Sequence, residues 1–144
     1  AIETINGGSG DDVIDITSPD TQLAYSMALN GEAGDDVIWA SSGADTLNGG
    51  DGNDVLFGGK GIDTLTGGNG SDTFEFCNQS GNDIIKDYNK GAGDKIVFYK
   101  QQSDSQDYGI SGTDTVTWGS LSIELEGLTL SAKSDILVEF VNVI

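Results

Sequence analysis

The sequence contains no histidine and no arginine, one cysteine (Cys77), one proline (Pro19), and six lysines against 24 acidic residues. Each shortage removes a class of chemistry. Without histidine there is no imidazole for a zinc site or a Ser–His–Asp nucleophile, and without arginine no planar fork to clamp phosphate. A lone cysteine cannot close a disulfide within the chain, and Cys77 is expected to be a small buried apolar side chain. No run is long and apolar enough to suggest a transmembrane span, and the charged-then-apolar pattern of an N-terminal signal peptide is missing. The chain starts at Ala1 in the middle of a pattern, so it reads as a fragment of something longer.

What is abundant is acid and glycine. Aspartate supplies 18 of the acids, glycine occupies 22 of 144 positions, and the formal net charge is −18. Such a chain repels phosphate and anionic lipid, which argues against nucleic acid and membrane insertion and in favour of cations. An apolar fraction of 36% is modest. Self-repulsion and backbone entropy oppose collapse, so something must neutralise the acids before the apolar residues pack.

The glycines and aspartates keep a period of nine. An uninterrupted block over residues 31–75 reads GEAGDDVIW, ASSGADTLN, GGDGNDVLF, GGKGIDTLT and GGNGSDTFE. A further copy, GGSGDDVID, starts at Gly7, and a degenerate one, NQSGNDIIK, starts at Asn78, displaced by two residues. The sixth-position acids are Asp12, Asp36, Asp45, Asp54, Asp63, Asp72 and Asp83. Glu32 replaces the second glycine of one unit, Ala40 and Ser41 replace the pair in another, and residues 16–30 carry no motif.

Fixed-period self-similarity points to a solenoid. Glycine at positions one, two and four permits a tight turn with its carbonyls turned to one side. Positions seven to nine then form a short strand whose eighth residue points inward: Ile14, Ile38, Leu47, Leu56, Leu65 and Phe74. One nonapeptide makes half a coil, so units eighteen residues apart share an edge. Their carboxylates and turn carbonyls converge between coils, a set of hard oxygens that suits Ca²⁺ better than Mg²⁺.

These motifs resemble the RTX (repeats-in-toxin) phrase G-G-x-G-x-D-x-U-x, which three consecutive full copies match. The resemblance implies an all-β fold: a parallel β-roll solenoid of nonapeptide repeats over residues 1–83, with a β-rich C-terminal cap over 84–144. It also implies Ca²⁺ held by the sixth-position aspartates together with backbone carbonyls of the turns. Those turns carry Gly31 and Gly34; Gly43; Gly49, Gly50 and Gly52; Gly58, Gly59 and Gly61; and Gly67, Gly68 and Gly70. The best pairs are Asp36 with Asp54, Asp54 with Asp72, and Asp45 with Asp63; Asp12 with Asp36 and Asp63 with Asp83 are weaker. That makes about five ions. The segment GNDIIKDYNKGAGDKIVF and the ending at Glu139, Phe140, Val141, Val143 and Ile144 resemble the region C-terminal to the repeats in type I-secreted proteins. By that likeness the C-terminus is an uncleaved signal read by the type I secretion machinery, the module is secreted and non-catalytic, and any activity belongs to a preceding domain.

The outward positions of one face, Val37, Trp39, Val55 and Phe57, form an apolar strip of a kind that rarely faces water. It is expected either to lie under the C-terminal segment or residues 23–29, or to dock the preceding domain or a partner. A two-carboxylate hydrolase fits poorly, because the acids fall at metal-ligand spacing with no cleft-forming elements between them. The alternative function is a Ca²⁺-stabilised carbohydrate-binding, alginate-type accessory module, using Trp39, Trp118, Tyr25, Tyr88 and Tyr108 as exposed stacking platforms.

Overall fold

The computed structural model describes residues 3–17, 25–101, 108–112, 114–130 and 132–143. Among these the chain is a parallel β-solenoid whose strands alternate between two sheets. One sheet receives β1 (Glu3–Ser9), β3 (Met27–Ala33), β5 (Thr46–Asp51), β7 (Thr64–Asn69) and β9 (Asp83–Ile85). The other receives β2 (Val13–Asp15), β4 (Val37–Trp39), β6 (Val55–Phe57), β8 (Thr73–Cys77) and β10 (Lys95–Lys100). Each strand stacks in parallel on the one two places earlier, so Leu47 pairs with Leu29 and Leu65, and Ile38 with Ile14 and Leu56.

Coil length can be read from that pairing. In the central coils partners are eighteen residues apart, as Thr46 and Thr64 are. From β1 to β3 the separation is twenty-four, as between Glu3 and Met27. The motif-free stretch therefore supplies a half-coil, with Leu29 in the core, in a coil six residues longer than the central ones; positions 18–24 lie outside the described residues. Beyond the repeats the separation widens to twenty at β7 to β9 and twenty-two at β8 to β10.

The inward residues behave as the period requires: Ile38, Leu47, Leu56, Leu65 and Phe74 are wholly buried and Ile14 nearly so. The two faces differ in one respect from three-residue strands throughout. β5 and β7 run for six residues because the glycine pair of the next repeat stays in the ladder, Gly50 pairing with Gly68. Glu32 occupies the corresponding place one coil earlier with φ of 81°. That left-handed conformation is costly for a side chain, so the turn is imposed by its neighbours rather than by local preference.

The sheets continue past the repeats. β13 (Leu121–Leu125) pairs in parallel with β9 and leads through β12 (Thr115–Trp118) to β11 (Gly109–Ser111) by antiparallel pairing. β14 (Val138–Asn142) pairs in parallel with β10 at the edge of its sheet. Between these extensions sits an aromatic plug in which Phe98 contacts Trp118 at 4.8 Å and Phe140 at 5.5 Å between ring centroids. It closes one end of the solenoid over buried Phe76. Trp118 and Tyr88 are therefore core residues and not exposed stacking platforms; the Tyr88 hydroxyl accepts the Leu137 amide.

Phe98→Ala should destabilise the folded chain by about 3–5 kcal/mol, the usual cost of emptying a buried phenyl site. Denaturant unfolding followed by Trp118 emission measures it, and a loss below about 1 kcal/mol would mean the plug does not hold the end of the solenoid.

Candidate metal centre

Six of the sixth-position aspartates sit directly before a strand, where the chain leaves a turn, and Asp83 is the first residue of β9. Stacked coils bring these residues into two ladders. On one edge the Asp12 amide donates to Asp36 Oδ1 at 2.8 Å, Asp36 to Asp54 at 2.8 Å, and Asp54 to Asp72 at 3.0 Å. On the other, Asp45 donates to Asp63 at 2.8 Å and Asp63 to Asp83 at 2.9 Å. All five aspartate pairs read from the spacing are thus brought into register, including the two at irregular coils.

One oxygen of each carboxylate is used; the other is not. Oδ2 of Asp36, Asp45, Asp54, Asp63, Asp72 and Asp83 is buried with no hydrogen-bond partner. These side chains are at most 1% exposed. A buried, unpaired carboxylate costs several kcal/mol, so six of them together rival the whole stability of an ordinary domain. The two ion pairs among the described residues, Lys86–Glu126 and Lys95–Glu139, lie at the surface and use other acids. Neutralisation must come from protons or from a cation that is not part of the chain.

The glycines make room for it. Gly49 has no side chain where a Cβ would overlap Asp54 Oδ2 and approach the Gly67 carbonyl oxygen at 2.6 Å. Gly31, Gly58 and Gly67 stand in the same relation to Asp36, Asp63 and Asp72. At position four, Gly52 has φ of 139° and lies so close to the Gly34 carbonyl that no larger residue fits. Gly34, Gly61 and Gly70 likewise stack on carbonyls of the preceding coil, those of Gly10, Gly43 and Gly52, as Gly50, Gly59 and Gly68 do on those of Glu32, Ser41 and Gly50. Among the described residues no three acidic or cysteine side chains form a metal-binding group by themselves. A cation between coils would therefore have to draw on these carbonyls as well as on carboxylates, and hard oxygen of both kinds is a calcium donor set.

A family model described as the RTX calcium-binding nonapeptide repeat (4 copies) matches residues 2–15, 28–56 and 48–76. The chain carries an RTX β-roll. The repeats of this family bind calcium, and the orphaned oxygens beside side-chain-free glycines fit that ion. No curated protein matches the chain.

The RTX register extends beyond the residues that the phrase picks out. Asp94 Oδ1 accepts the Asp72 amide at 3.0 Å and so stands one rung beyond the last full repeat. Asp87 accepts the amides of Gly67 at 2.9 Å and Gly68 at 2.8 Å. The sequence GAGD contains the signal for Asp94, shortened by one residue between glycine and acid. At the other end, Met27 donates its amide to Asp45 Oδ1 at 2.8 Å but brings no carboxylate.

On the outer face of the roll, Val37, Val55 and Phe57 are half-buried and Trp39 is exposed. The C-terminal strand extends this sheet at its edge and does not lie over the strip. Residues 25–29 belong to the other side of the coil, where β3 begins, while 23 and 24 fall outside the described residues. Cys77 is half-buried and not part of the core, and lines a shallow groove with Trp39, Phe57, Glu75 and Tyr99.

Loss of water pushes Asp63 up to about 8 and Asp72 and Asp83 up to about 6, and raises Asp45, Asp54 and Asp94 as well. Neighbouring carboxylates add to the effect at Asp54, Asp63, Asp72 and Asp94. Without a cation the folded roll then binds more protons than the unfolded chain, so its stability is fullest below the ordinary carboxylate value of 3.8 and falls as pH rises through about 6 to about 8. In EGTA the β signal in far-ultraviolet circular dichroism should be larger at pH 5 than at pH 8; a larger signal at pH 8 contradicts this.

Proposed function

We propose that this chain is a calcium-triggered folding module that supports type I secretion and extracellular folding of a larger protein. The observation that carries the reading is the row of buried, donorless Oδ2 atoms between successive coils. Asp12, Asp36, Asp54 and Asp72 serve one edge and Asp45, Asp63 and Asp83 the other, with the turn carbonyls of the glycines completing each set. Calcium supplies the positive charge that these oxygens lack. About five divalent ions would bring −18 to roughly −8 and remove much of the self-repulsion.

Magnitudes favour a switch between compartments. Extracellular modules bind calcium at about 10⁻⁴–10⁻³ M, far above cytosolic levels, so the chain stays loose inside a cell and can thread an export channel. Outside, at about ten times the dissociation constant, each site contributes about 1.4 kcal/mol. Five independent sites give about 7 kcal/mol, within the range of a whole domain's stability. The C-terminal segment then has two tasks, capping the open end of the roll and carrying the export signal, and the module itself performs no catalysis.

Circular dichroism in EGTA and in millimolar calcium should report a gain of β structure with the ion. Asp54→Ala touches two rungs and should cost about 3 kcal/mol of calcium-dependent stability, whereas Asp12→Ala touches one and should cost about half that. No calcium response, or equal losses in the two variants, would contradict the reading.

One observation favours a second reading. Trp39, Phe57 and Tyr99 line an open groove of about 430 Å³ with Glu75, whose Oε1 accepts the Tyr99 hydroxyl at 2.7 Å. Aromatic faces beside polar groups suit sugar stacking, and the acidic surface favours neutral over acidic glycans. Titrating the calcium-loaded chain with neutral oligosaccharides and with alginate separates the two. Saturable quenching of Trp39 lost in Phe57→Ala supports a carbohydrate module, and no binding of either sugar excludes it.

A further inference from the structure

We infer that the calcium ladder runs one rung past the last repeat, with Asp72 and Asp94 as the carboxylates of a site that no nonapeptide contains. This rests on the calcium reading above and extends it to the C-terminal segment. Asp94 precedes β10, is 2% exposed, and accepts the Asp72 amide at the 3.0 Å seen between Asp54 and Asp72. Across that contact Asp72 Oδ2 is buried without a partner, turned into the space left by Gly67. The rung thus repeats the relation of Asp36 to Asp54, although Asp94 is separated from Asp72 by twenty-two residues and not eighteen.

The surrounding groups are built for the purpose. Where Gly49 faces the carbonyl of the next coil's Gly67, Gly67 itself is met by the Asp87 carboxylate, which holds the amides of Gly67 and Gly68 and fixes the turn. Asp94 is fixed from both sides, because its Oδ2 accepts the Asn89 amide at 2.7 Å. Nearby lysines are engaged elsewhere: Lys95 with Glu139 and Lys90 with the Ser134 carbonyl. The Asp72 oxygen therefore has no protein cation to neutralise it. An ion here ties β8 to β10, and β10 carries Phe98 of the aromatic plug, so filling the site and closing the cap become one event.

Native mass spectrometry of the calcium-saturated 144-residue chain tests this through Asp94→Asn and Lys95→Met. Asparagine can still accept the Asp72 amide but lacks the charge, while Lys95→Met removes the neighbouring ion pair and no carboxylate. Asp94→Asn should hold one calcium fewer than the unaltered chain, and Lys95→Met the same number. An unchanged count in Asp94→Asn overturns the proposal, and so does a loss of one ion in both variants, since cap packing would then account for it. If the unaltered chain holds no calcium at all, the underlying calcium reading fails as well. Should Asp94→Asn not fold, a Trp39→Phe chain isolates Trp118. Its emission should shift to shorter wavelength with calcium and revert in EGTA, and a buried-tryptophan spectrum already present in EGTA overturns the proposal.

Discussion

A carboxylate oxygen shut away from water without a donor is the constraint on which this molecule turns. Six such atoms lie in two rows between coils, and no lysine among the described residues pairs with them. Left ionised and alone, they would outweigh what a small apolar core returns. Their position explains the glycines more fully than turn propensity does. Gly31, Gly49, Gly58 and Gly67 leave open the space into which the acid oxygens point, and Gly52 and Gly61 let one coil rest directly on the carbonyls of another. The repeat of nine is therefore a spacing of oxygens, with the strand residues Ile38, Leu47, Leu56, Leu65 and Phe74 filling the narrow interior between them.

The same constraint sets how much irregularity the roll tolerates. Coils of twenty-four, eighteen, twenty and twenty-two residues all return an aspartate amide to the carboxylate of the next coil. The contact is kept whatever the length of the coil. Glu32 shows the same dominance at a single position, held at a positive φ that its side chain disfavours because the stacked turns on either side require it. Where the acids end, aromatic packing takes over, and Phe98, Trp118 and Phe140 close the end of the two sheets with no further need of charge.

The parallel roll and the pairing of its aspartates are legible because a strict period carries both strand and turn in one phrase. Even the displaced Asp83 can be placed, since GNDII keeps the glycine, the acid and the inward isoleucine. Asp94 is harder to see, because GAGDKI drops a residue and its partner lies in a coil of different length. Asp87 is not legible at all: its role depends on a loop returning to the Gly67 turn, which local pattern does not encode. Tyr88 and Trp118 turn inward where exposure is expected, and Cys77 is only half-buried where burial is expected, for a related reason. Outside the repeats no period distinguishes inward from outward, and the answer depends on strands that meet forty residues apart, as Asp83 and Ile123 do.

Crystallising the chain with abundant calcium tests the central claim most directly. Anomalous density between Asp36 and Asp54, and between Asp45 and Asp63, with Oδ2 of the first residue of each pair in the ion's shell, is the expected result. Those carboxylates turned apart, with no ion between the coils, would contradict it.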